Sequence, residues 1–183
     1  MKLLINEFIK DYKKKTTWLY FLLSFGIILL NSYFAKRQFE DGVDAVKILS
    51  GITVVAAATA TIFSLIMLAN NLSQEYSKGT IKFLYTKPKS RSAILTAKIV
   101  LAFINYIIFL VVGTVFDFVT KNYVFFKNKV GLNHLNDTIT EGYFGRTVAK
   151  QIIITNLADL AVYIFFVAMV VLVCVVFKTQ ILS

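Results

Sequence analysis

The chain has 183 residues, of which 57% are hydrophobic and only 16% charged, yet it carries a formal charge of +10 from 20 basic and 10 acidic side chains. That composition excludes a disordered chain, which needs low hydrophobicity, and a basic nucleic-acid-binding module, which spreads its charge over a polar face. It also excludes a disulfide-stapled scaffold, since Cys174 is the sole cysteine. What remains is an all-α polytopic membrane protein, because backbone groups in lipid must be satisfied within each segment.

Residues 1–15 come first. Leu3, Leu4, Ile5, Phe8, Ile9 and Tyr12 recur at spacings of three and four, with Lys2, Lys10, Lys13 and Lys14 elsewhere, which predicts an amphipathic helix lying in the membrane surface. A basic topogenic flank of the first span is the plainer alternative. A crossing helix needs about 20 mostly apolar residues, and four such runs follow, predicting spans over 18–34, 48–69, 94–119 and 150–177. The 17 residues before Trp18 are too long for a usual signal-peptide n-region, and no small-residue cleavage site follows the first run.

Residues 1–16 and 70–98 hold eleven Lys and Arg, against eight in 35–47 and 120–150, so the positive-inside rule predicts a cytoplasmic N-terminus in the plasma membrane. The stretch 120–149 is then an extracellular loop. Its Tyr123, Phe125, Phe126, Tyr143 and Phe144 suit the outer leaflet, and His134 reads as a solvated residue.

The segment 70–98 is too apolar at Ile81, Phe83, Leu84 and Tyr85 for a solvated linker. Tyr76, Thr80, Phe83 and Leu84 share a helical face, predicting a short helix over 73–86. Pro88, the only proline, lacks an N–H and disfavours helix at Lys87, and Ser90 stands where a cap for the third span belongs. Such a helix needs a partner surface or the headgroups to cover it.

Glu75, Gly79-Thr80, Phe83-Leu84, Pro88, Arg91 and Lys98 together make an E-x3-GT-x2-(apolar)2-x3-P-x2-R-x6-K pattern directly after a second span. In this the sequence resembles the type-2 ABC transporter permeases, and the N-terminal amphipathic helix is similar to that family's interface helix. The resemblance implies that 73–86 is a coupling helix docking on a cytoplasmic ATP-binding subunit. Its contact residues would be Glu75, Tyr76, Gly79, Thr80, Phe83, Leu84, Pro88 and Arg91, with Gly79 allowing close backbone approach. It also implies a second permease subunit, the same or different, and a six-span membrane domain of which these four spans form about the N-terminal two-thirds.

No G-x4-G-K-[ST] loop occurs, so ATP and its magnesium are expected on the partner, with no cofactor bound here directly and no catalytic residue assigned. One histidine and one cysteine exclude a His/Cys metal cluster within the chain. In the second span Ala56, Ala57, Ala60 and Ser64 offer a small-residue face for helix packing, in the same subunit or across a dimer. Asp159 and Asn156 are expected near the outer interface, because a core of Leu160 to Phe177 is long enough to cross. The function expected from the resemblance is a permease subunit of an ATP-driven exporter of amphipathic or antimicrobial peptides or other hydrophobic substrates. The rival expectation is a non-transporting membrane immunity or scaffold protein that binds a toxin or partner in the bilayer. The 17 Lys against three Arg suggest an AT-rich, Gram-positive source.

Overall fold

The computed structural model describes residues 2–38, 44–77, 91–127, 129–139 and 145–181. Its elements are α1 (Lys2–Tyr12), α2 (Lys15–Gln38), α3 (Ala45–Ser50), α4 (Ile52–Ser77), α5 (Arg91–Val119), a π-helical turn (Thr120–Phe125), a 3-10 turn (Leu132–Asn136) and α6 (Val148–Ile181). Four stretches are long and apolar enough to cross a membrane, Lys15–Gln38, Ala45–Ser73, Ile94–Phe125 and Val148–Cys174. The protein is all-α and polytopic.

Side-chain pairings set the topology. Tyr20 meets Asn70 and Ser24 meets Thr59, so α2 and α4 are antiparallel. Lys98 meets Asn71 near one end, and Gly113 faces Ala56 towards the other, so α4 and α5 are also antiparallel. Tyr163 reaches Ala102 while Val148 packs at the opposite end, which returns α6. The result is an up-down-up-down bundle. We call the end that carries α1 the near end.

The small face of α4 is turned into this bundle. Ala56, Ala57, Ala60 and Ser64 are buried, and the Ser64 hydroxyl donates to the Ala60 carbonyl at 2.6 Å, as suits a hydroxyl with no water to meet. A Cβ added at Gly113 would lie 3.2 Å from the Ala56 Cβ and 3.4 Å from Ile28 Cδ1, so glycine is what lets α2, α4 and α5 close on one another. Along the α2–α5 seam Phe21 stacks on Phe109 with centroids 4.1 Å apart and Phe25 meets Phe116 at 4.4 Å.

The main core runs through Phe63, Met67, Leu68, Tyr106, Phe109 and Tyr163, and a second one at the far end gathers Ile48, Leu49, Ile52, Phe126, Val130 and Val148. Two sequence expectations change here. The second span is not one rod: Asp44 caps α3 by accepting from the Lys47 N–H, and Gly51 separates that short helix from α4. Phe126 is 4% exposed and belongs to the far-end core, not to the outer leaflet, whereas Tyr123 stays exposed and Tyr143 and Phe144 lie outside the described residues. The His134 side chain is exposed, and its Nδ1 lies 2.7 Å from the Asp137 carboxylate in a surface pair.

Candidate functional site

The connection between α4 and α5 is where the sequence concentrates its pattern. Glu75 and Tyr76 belong to the last turns of α4, which runs unbroken through Ser77, and Arg91 opens α5. Gly79, Thr80, Phe83, Leu84 and Pro88, with the Ser90 cap, lie outside the described residues. What the structure places is the pair of stems that carry this connection and the polar network that ties them to α1.

That network begins at the turn between α1 and α2. The Thr17 hydroxyl donates to the Asp11 carbonyl at 2.6 Å, folding the chain back at Lys13 and Lys14. Asp11 is 1% exposed, and its carboxylate accepts from Lys14 Nζ at 3.0 Å and from the Asn71 amide at 2.6 Å. Lys14 also donates to the Asn71 side-chain oxygen at 2.6 Å. Each oxygen of the buried carboxylate therefore has a donor, as a buried charge requires.

Lys98, 2% exposed on α5, extends the network by donating to the Asn71 carbonyl at 2.8 Å and pairing with Glu7 of α1 at 3.6 Å. Tyr12 closes it, donating to the Asn105 side-chain oxygen at 3.2 Å. Burial, and after it the Asp11 charge, pushes the Tyr12 hydroxyl up to about 12, so it remains a donor at any physiological pH. Through Glu7, Asp11 and Tyr12, α1 is thus bonded to both stems of the connection.

The apolar stripe expected on α1 divides accordingly. Phe8 and Tyr12 stack at 4.5 Å and are half-buried, while Ile5 and Ile9 are exposed. Of the network, only Lys98 stood out in the sequence, as the last element of the spaced pattern. Asp11 and Asn71 carry no local signal, since 60 positions separate them and only the fold brings them together.

A second buried charge node lies at the far end. Asp117, 0% exposed, accepts from Lys121 Nζ at 2.8 Å and from the Ser32 hydroxyl at 3.0 Å, joining α2 to α5. Thr120 donates to the Phe116 and Asp117 carbonyls where the π-helical turn starts. Lys98 and Asp117 are 19 positions apart on α5, a rise of about 28 Å, so the two nodes bracket roughly one 30 Å hydrocarbon thickness.

This frame corrects the expected depth of Asp159. Tyr163 donates to the Ala102 carbonyl, and Asp159 stands one turn from Tyr163 towards the far end. That places it level with about Tyr106, roughly 12 Å above Lys98, and so in the middle of the apolar thickness. The physical reason is that α6 is already packed from Val148 onward, so its far-end turns are part of the bundle. Among the described residues no group of three or more His, Cys, Asp or Glu is arranged to hold a metal ion.

A family model described as ABC-2 family transporter protein matches residues 3–183. No curated protein and no solved structure gives a match to this chain.

Proposed function

Because the chain belongs to the ABC-2 transporter family and is thus a multi-pass permease subunit of an ABC transporter, we propose that it is the permease of an exporter for amphipathic or antimicrobial peptides or other hydrophobic substrates. The family implies an ATP-binding partner. In our reading that partner sits in the cytoplasm with the amino terminus of this chain and supplies ATP and magnesium, and two permease subunits face one another in the bilayer. The segment 73–86, whose first residues continue α4 as far as Ser77, is the coupling segment. Its Glu75, Tyr76, Gly79, Thr80, Phe83 and Leu84, with Pro88 and Arg91 beyond, meet the partner.

The observation that carries this reading is the bonding of α1 to both stems. A push on the connection displaces the near ends of α4 and α5 together, and α1 moves with them through Asp11, Asn71 and Lys98. Packed helices transmit such a shift because their interfaces have discrete arrangements. Alternating access then follows as a shift between inward and outward states that ATP binding biases.

Glu75→Ala combined with Phe83→Ala tests the assignment in proteoliposomes holding both subunits. The double variant should insert normally and lose at least about ten-fold in coupled ATP turnover and export, as expected when an interface loses a charge and a buried aromatic anchor. Unchanged turnover and export in that variant would remove the coupling role from 73–86.

A further inference from the structure

Asp159 stands unpaired at mid-depth. Among the described residues it has no hydrogen bond and no ion pair, and it stands one turn from Tyr163, whose ring stacks on that of Tyr106 at 4.3 Å. Tyr106 is fully buried, and its hydroxyl has no hydrogen-bond partner among the described residues. Asn156, three positions before Asp159 on the same stripe of α6 as Tyr163, spends its amide N–H on the Ile152 carbonyl at 2.9 Å, while its buried side-chain oxygen is also without a partner. Three unmet polar groups thus occur on facing stretches of α5 and α6, at a depth where each is costly.

The two charge nodes follow the opposite pattern. Asp11 and Asp117 are each matched by a lysine and a second donor from another helix. Asp159 is half-buried at the edge of the packed stripe, with Tyr163 on its inner side and the exposed Val162 and Phe166 on the other. A carboxyl so placed is stable as an anion only beside a cation or water, and ionisable groups inside the bilayer mark pathways for that reason.

We propose that Asp159, with the Tyr106 hydroxyl and the Asn156 side-chain oxygen, forms a mid-membrane recognition site for a cationic group, an ammonium or guanidinium, carried by the transported molecule. The donor set fits such a guest. An ammonium brings three N–H donors, and the site offers a carboxylate, an amide oxygen and a hydroxyl lone pair, all acceptors. A neutral apolar molecule would leave all three unmet, so the site selects for charge as well as for amphipathic shape. The inference rests on the transport reading above and adds to it the class of substrate.

The probe is a dansyl-labelled amphipathic helical peptide carrying several lysines, compared with the same peptide after full lysine acetylation. Binding is read by fluorescence anisotropy on the full chain in nanodiscs, without the ATP-binding partner, so it is independent of coupling. The lysine peptide should bind wild type at least about ten-fold more tightly than the acetylated one, the scale of one well-placed charge contact. Asp159→Asn should abolish that preference, Asp159→Glu should restore most of it, and Tyr106→Phe should weaken it by about two- to five-fold.

Equal binding of both peptides to wild type, or an undiminished preference in Asp159→Asn, would overturn the site. So would an Asp159→Asn variant whose only change is loss of self-association, since the carboxylate would then pair with a second copy of the chain. Failure of an ATP-binding subunit to co-isolate would instead count against the transport reading and leave the binding result standing.

Discussion

Lys14→Ala is expected to destabilise the folded chain by about 3–5 kcal/mol, the cost of leaving a buried carboxylate without its cation. Asp11 is 1% exposed and would keep only the Asn71 amide. Denaturant unfolding of the purified protein in nanodiscs gives the measurement. Removing both partners, Lys14→Ala with Asp11→Ala, should recover most of the loss, because the buried charge is then gone as well. A double variant as unstable as Lys14→Ala alone would mean that the ammonium stabilises something other than Asp11.

The far-end node gives the second large effect. Lys121→Ala is expected to cost about 3–5 kcal/mol for the same reason, since Asp117 is 0% exposed and would retain only the 3.0 Å bond from Ser32. Here the partners are four positions apart, Asp117 in α5 and Lys121 in the π-helical turn that continues it, and the Ser32 hydroxyl joins the pair to α2. Ser32→Ala should cost less, about 1.5–3 kcal/mol, the worth of one hydrogen bond to a charged group, while freeing the far end of α2. The combined Lys121→Met and Asp117→Leu variant should lie close to wild type, because apolar groups of similar size replace a buried pair at little cost. If Lys121→Ala unfolds at the wild-type midpoint, the far-end carboxylate is hydrated and not part of the packed interior.

These two nodes also show how far the sequence could be read. Four spans were legible because uninterrupted apolar runs of bilayer length have few alternative fates, and the all-α class followed from the need to satisfy the backbone in lipid. The small face of α4 was legible as a packing surface, since Ala56, Ala57, Ala60 and Ser64 stand among bulkier neighbours. Which acids would be buried was not. Asp11, Asp117 and Asp159 differ by what the fold brings to each: Asn71 from 60 positions away, Ser32 from 85, and for Asp159 no donor among the described residues.

Depth is not legible in the sequence for a related reason. A run longer than the bilayer does not say which end protrudes, and α6 keeps its excess at the near end because Val148 and Ile152 are taken up by the far-end core. Ser73–Ser77 likewise continue α4, because nothing in that stretch interrupts the helix.

Co-isolation of this chain with an ATP-binding subunit from native membranes, followed by ATP hydrolysis in the isolated complex, tests the central claim most directly. An ATP-binding protein should co-elute with the chain and turn over ATP in the complex. Isolation of the intact chain with no ATP-binding protein attached, and no ATP turnover on reconstitution with candidate partners, would contradict it.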